Sequence, residues 1–391
     1  MMRRTGHVLV VMAFLVPSGL AQTTTENLRD AIERLGDFDY DVRLEASRVI
    51  RRADADTVVP LLLGAVREHE DSYVQFRAAV LFYGFEVATA RAVFEEALTS
   101  PNDRVRAAAY EYFEQEPSTD VVSNLLDAME TETSEFVRPY LVRALAANDE
   151  DAVVQQQLVQ EIHRGEGYFR GGVIEALGDH RAGYAVEALV GIISDEGPLR
   201  DDALLALGKI GDRRAIAPLS EVQRTADGAL QPIVSATACL LEVNCEGQLE
   251  YIAGTLAYSA QAGDAESQEL VRSAATALAA LAIDGRRPAV EALIDVGLTA
   301  PEEARAPIAI ALGTVALRNA PIVRAALVDD GEQDISASEA RLLLLRDAFD
   351  ILDEDFAEER FYMLMRRDYW AAAEGSVARA VAEATIRMLE F

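Results

Sequence analysis

Apolar residues recur along this chain in short stripes at helical spacing, and polar turns separate one stripe from the next. In the segment LRDDALLALGKIGDRRAIAPL, Leu199, Ala203, Leu207 and Ile210 fall on one helical face, with Ala206 adding a small contact beside them. Gly208 and Gly211 weaken that helix as Asp212 opens a turn. A second stripe, Ala215, Ile216, Leu219 and Val222, predicts the next helix. Each unit therefore reads as two short amphipathic helices joined tightly. β-Branched residues sit inside Ala-rich helical periodicity rather than in alternating runs, so strands are not expected.

The unit repeats roughly every 33 residues, and an arginine marks it: Arg43, Arg77, Arg106, Arg138, Arg170, Arg200, Arg272, Arg305, Arg341 and Arg379. The gap after Arg200 is a double step, and the copy inside it, PIVSATACLL, carries Ile233 where the arginine would stand. A fixed period of this length signals a solenoid, because each helix pair buries its apolar face only by stacking on its neighbours. About eleven pairs fit between Thr23 and Phe391, with no linker long enough to mark a boundary, so residues 22–391 read as a single array. Thr23 with Glu26, and Thr299 with Glu302, have the spacing of helix-opening capping boxes.

The strings VRAAAYEYF at Val105, FRGGVIEALGDH at Phe169 and LRDDALLALGKIGD at Leu199 resemble HEAT repeats, nearest to the HEAT-like subtype first associated with phycobilin lyases. The resemblance implies an all-α fold, an α-solenoid wound as a right-handed superhelix of about eleven HEAT-like helix pairs. It also implies that the arginine-bearing helix lines the concave side, and that the arginine ties one repeat to the next through an acidic residue near the turn. Asp41 before Arg43, and Asp103 before Arg106, fit that role.

Composition narrows the setting. Arg3 and Arg4, the apolar run Val8 to Val16 and the stretch ending at Ala21 read as a signal peptide over residues 1–21, which places the remainder in an extracytoplasmic space, periplasmic or secreted. No later segment is apolar enough to span a bilayer. The whole chain carries a formal charge of −30, and removing Arg3 and Arg4 with the leader would make it −32. Such a surface repels phosphate, so nucleic acid is not an expected partner. Lys209 is the only lysine. That balance fits a halophilic surface and equally an acidic secreted protein from a GC-rich genome. Cys239 and Cys245, the only cysteines, suit either a local bridge in an oxidising compartment or two separate thiols.

Chemistry is sparse. The single His69-Glu70 dipeptide cannot supply the ligands of the di-iron centre held by a HEAT-like hydroxylase, and Asp37, Asp39 and Asp41 lack the glycine and distal acid of a calcium loop. No catalytic residue, metal or cofactor is expected. Aromatic residues are uneven: thirteen of 26 fall between Tyr73 and Phe169. The expected binding surface therefore combines Tyr83, Tyr110, Tyr112 and Tyr140 with Arg106, Arg138 and Arg170, gripping a protein or peptide on the concave face. The alternative is that these rings fill gaps between repeats. A non-enzymatic interaction scaffold is the leading functional expectation. A chromophore lyase-like or enzyme-accessory factor is the runner-up, and an elastic spacer a third.

Overall fold

The computed structural model describes residues 24–194, 197, 199–327, 335–352 and 355–389. The leader expected over residues 1–21 lies outside them, as do Thr23, Pro198 and Phe391. Every described element is helical, and the 22 α-helices form eleven consecutive pairs.

The first three pairs are α1 (Thr25–Arg34) with α2 (Tyr40–Arg51), α3 (Ala55–Glu68) with α4 (Ser72–Tyr83), and α5 (Ala90–Ala97) with α6 (Asp103–Gln115). The next three are α7 (Val122–Thr131) with α8 (Arg138–Ala147), α9 (Ala152–Glu161) with α10 (Gly167–Asp179), and α11 (Val186–Ile193) with α12 (Arg200–Ile210). Then come α13 (Ile216–Thr225) with α14 (Gln231–Leu240), α15 (Cys245–Ala262) with α16 (Ala265–Ile283), and α17 (Arg287–Thr299) with α18 (Glu302–Arg318). The last are α19 (Ala320–Leu327) with α20 (Ile335–Leu352), and α21 (Asp355–Ala371) with α22 (Val377–Leu389). Each repeated arginine sits on the second helix of its pair.

Successive arginine-bearing helices pack along their lengths, whereas most of the alternate helices barely touch one another. The stack therefore curves toward the arginine side, and one contiguous apolar core runs from Leu28 to Val381. Close approach along this ladder needs small residues. A Cβ on Gly178 of α10 would lie 2.7 Å from the Ala206 backbone of α12. Gly208, read in the sequence as a helix breaker, lies inside α12 and lets Leu240 and Thr237 of α14 approach. Gly211 does end α12, in a left-handed conformation with φ 76° that glycine adopts without strain.

The repeated arginine acts differently from the expected acid-near-the-turn link. Its recurrent partner is a backbone carbonyl at the end of, or just beyond, the preceding helix: Arg43 donates to Asp37 O at 2.7 Å, Arg106 to Ser100 O at 2.8 Å, Arg170 to Ile162 O at 2.8 Å and Arg305 to Ala300 O at 3.3 Å. These carbonyls have no amide left to bond inside their own helix, and a cation complements that end of the dipole. In the copy that lacks the arginine, Gln231 Nε2 donates to Ala226 O at 3.2 Å and takes over the task. Ties to the following repeat do occur, but through acids of the next pair: Arg106 to Glu132 at 2.8 Å and Arg138 to Glu161 at 3.3 Å. Asp103 accepts instead from the hydroxyl of Ser134.

Two helix starts lie a residue or two from the capping-box positions. Thr24, not Thr23, caps α1, and α18 begins after Pro301 while Thr299 hydrogen-bonds back to Asp295 and Val296. Asp39, from the acidic run, caps α2 by accepting from Asp41 N. A disulfide joins Cys239 in α14 to Cys245, the first residue of α15.

Where a regular solenoid would place α21 on the outside, this helix instead turns inward and packs against α18 and α4. Phe356 stacks on Tyr83 with ring centroids 4.4 Å apart. The buried Glu359 accepts from Arg51 Nε at 3.0 Å and Nη2 at 2.5 Å. Gly84 leaves room for that carboxylate, since a Cβ there would lie 2.7 Å from it. Arg51 also lies over the Tyr362 ring at 4.5 Å. The last pair thus closes the coil onto its first two pairs.

Candidate functional site

Four consecutive inner helices carry an alternating ladder of charge near their C-terminal ends. Glu114 of α6 accepts from Arg143 Nε of α8 at 2.9 Å, and Arg143 Nη2 reaches Asp179 of α10 at 2.9 Å. Asp179 then accepts from Lys209 of α12 at 2.6 Å. Burial works against the Glu114 charge, but Arg143, with His180 and Arg318, overrides it and holds the carboxyl down at about 2. Asp179 is likewise held well below the usual range by Lys209 and Arg143 despite burial. From across the coil, Arg318 at the end of α18 approaches Glu114 at 3.8 Å and Glu175 at 4.0 Å.

Beside this ladder lies a cavity of about 620 Å³, bounded by α6, α8, α10, α12 and Arg318. Its floor is open because Gly171 and Gly172 of α10 present no side chain. A Cβ on Gly171 would stand 2.9 Å from an Asp202 carboxylate oxygen. Aromatic rings form one wall: Phe136 and Tyr140 lie 5.7 Å apart, and Tyr168 is 84% exposed, a large ring held in solvent. Carboxylates Glu111, Glu175 and Asp202 supply the charge. Burial, with Glu175 and Asp201 nearby, pushes Asp202 up to about 6. Asp202 makes no hydrogen bond or ion pair with any described residue, so its carboxylate is the group a cationic ligand would relieve.

The residues expected from the sequence fall in different places. Tyr140 lines this groove. Tyr110 and Tyr112 are buried, the latter stacked on Phe94 at 4.5 Å, and burial pushes Tyr110 up to about 12. Their rings fill inter-repeat space and offer no surface. Tyr83 faces the inside of the coil but is covered by Phe356 of the chain's own α21. Arg106, Arg138 and Arg170 are engaged in the bonds already described, and Arg138 additionally lies 4.1 Å from the Phe169 ring centroid.

Glu114, Arg143, Asp179 and Lys209 lie outside the arginine and aromatic pattern that marks candidate residues in the sequence. Their spacings of 29, 36 and 30 residues, with alternating sign, carry the signal of a repeat-to-repeat ladder. Tyr168 and Asp202 are likewise absent from the expected binding surface, and the glycine-rich run GEGYFRGG flags the place where side chains withdraw. No group of His, Cys, Asp and Glu able to hold a metal ion occurs among the described residues. No single described helix is long and apolar enough to cross a membrane.

No protein-family model and no curated protein matches the chain. Among solved structures it is similar to a chain of a homology model of the full-length AP-3 complex in an intermediate open conformation. That match has a TM-score of 0.39 and 11% identity over 93% of this chain and 84% of the other. At that score and identity the likeness carries no argument about function.

Proposed function

We propose that this chain is a non-enzymatic scaffold, built as a HEAT-like array and working outside the cytoplasm, that holds a basic segment of a protein partner in the groove between α6, α8, α10 and α12. The observation that carries this reading is the crowding of Asp202 against Glu175 beneath an open aromatic wall. Lysine or arginine side chains suit such a lining, because the charged head relieves the carboxylates while the stem lies along Tyr140, Phe136 and Tyr168. The leader-like first 21 residues support the extracytoplasmic setting.

Any acidic protein attracts a basic peptide weakly, so the test must locate the binding. Titration of a fluorescein-labelled Lys/Arg heptapeptide should give saturable binding that Asp202→Asn and Tyr168→Ala each weaken about tenfold, or ~1.4 kcal/mol, with unchanged helicity. Neither substitution removes more than one charge from a chain with 66 acids. Equal affinity for the native chain and both variants would place basic-peptide binding elsewhere and remove the reading.

A further inference from the structure

A second cavity, about 220 Å³, lies between the ends of α6, α8, α10 and α12 on one side and α16, α18 and α21 on the other. Its charge is opposite to that of the molecule. Five cations, Arg143, Arg181, Lys209, Arg318 and Arg360, line it against three carboxylates, in a chain whose formal charge is −30. All three carboxylates are taken: Glu114 by Arg143, Asp179 by Arg143 and Lys209, and Asp284 by Arg181 at 2.9 Å. The cations outnumber the carboxylates of this lining by two. Arg318 reaches its acids only at 3.8 and 4.0 Å, and Arg360 makes no ion pair with any described residue.

Helix C-terminal ends facing the cavity carry partial negative charge, which Arg143 and Lys209 are placed to answer. Arg360 enters the same wall from the first half of α21. It neighbours the buried Glu359 in sequence, so docking of α21 on α4 delivers Arg360 to the cavity wall. The space holds about seven waters at ~30 Å³ each, enough for a small dicarboxylate or the end of a peptide.

We infer that the cavity lined by Arg318 and Arg360 is a binding site for a carboxylate ligand, assembled when α21 closes the coil. Paired guanidiniums are suited to this, each offering a planar fork of donors to a carboxylate. The site adjoins the acidic groove, and Glu114, Arg143 and Arg318 line both. The source of the carboxylate is either a free small dicarboxylate or the C-terminus of a peptide.

Calorimetric titration of the full chain at low ionic strength decides it, with three probes: succinate, a neutral peptide with a free C-terminus, and the same peptide amidated. Succinate or the free-acid peptide should bind saturably and the amide should not; whichever binds identifies the source. Arg318→Gln and Arg360→Gln should each lower affinity at least tenfold. Arg367→Gln, an exposed change on the same helix, should leave it intact. Phe356→Ala, which frees α21 without touching the cavity wall, should also lower it. Absence of saturable binding of every probe by the native chain, saturable binding of acid and amide with equal affinity, or full affinity in the Arg318 and Arg360 variants each overturns the assignment. Groove variants at Asp202 and Tyr168 test the basic-segment reading independently, so the two can fail separately.

Discussion

Glu114 and Asp202 show how the same side-chain chemistry takes opposite signs in one fold. Glu114 has its folded value depressed from 4.5 to about 2, so its contribution is fully present above pH 4.5 and disappears as pH falls toward 2. Asp202 is raised from 3.8 to about 6, so the native state binds the proton more tightly and stability is lost as pH rises from 3.8 to 6. Asp202→Asn should therefore stabilise the free protein at pH 7–8 by on the order of 1 kcal/mol, after allowing for partial exposure. The gain should vanish below pH 3.8. Glu114→Gln should do the reverse, costing about 3 kcal/mol at neutral pH and nothing near pH 2. Urea midpoints at pH 2, 5 and 7.5 would check both, and an Asp202→Asn chain less stable than native at pH 7.5 would contradict the crowding argument. Stabilisation with loss of partner binding is the mark of a residue kept for function. At this scale the sequence was a poor guide. Tyr110 and Tyr112 look like Tyr140 in sequence, on the same class of helix, and only the turn of each helix decides that they face the core while Tyr140 faces the groove.

Among elements, the repeat was legible because it is local and periodic. Arginine spacing alone placed every second helix, and even its interruption at Ile233 had a structural answer in Gln231. Closure was not legible, because it rests on contacts such as Arg51 with Glu359 across 308 residues, where no period carries information. A helix pair at the end of a solenoid lacks one neighbour, and α21 finds its missing neighbour at the other end of the chain. Phe356→Ala together with Glu359→Gln should release it, and hydrogen exchange is the measurement. Amides of α2, α4 and α21 should lose protection by at least tenfold while those of α10, α12 and α14 keep theirs. Uniform loss along the array would mean that closure is not a separable unit.

For the whole molecule, net charge was legible and its arrangement was not. Most acids face solvent, whereas the ladder on α6, α8, α10 and α12 pairs its charges and the second cavity holds a surplus of cations. Salt acts on these populations unequally. At 0.1 M the screening length is about 10 Å, and at 1 M about 3 Å, so repulsion among exposed carboxylates falls steeply while the buried Glu114–Arg143 contact is screened much less. The melting temperature should consequently rise between 0.05 M and 1 M KCl. Binding of a basic segment in the exposed groove should weaken over the same range, because that attraction is open to solvent. The opposite trends separate two electrostatic roles carried by one chain. A melting temperature that stays level or falls with salt would mean that surface repulsion is minor beside the internal ladder, and that the acidity serves partner capture alone.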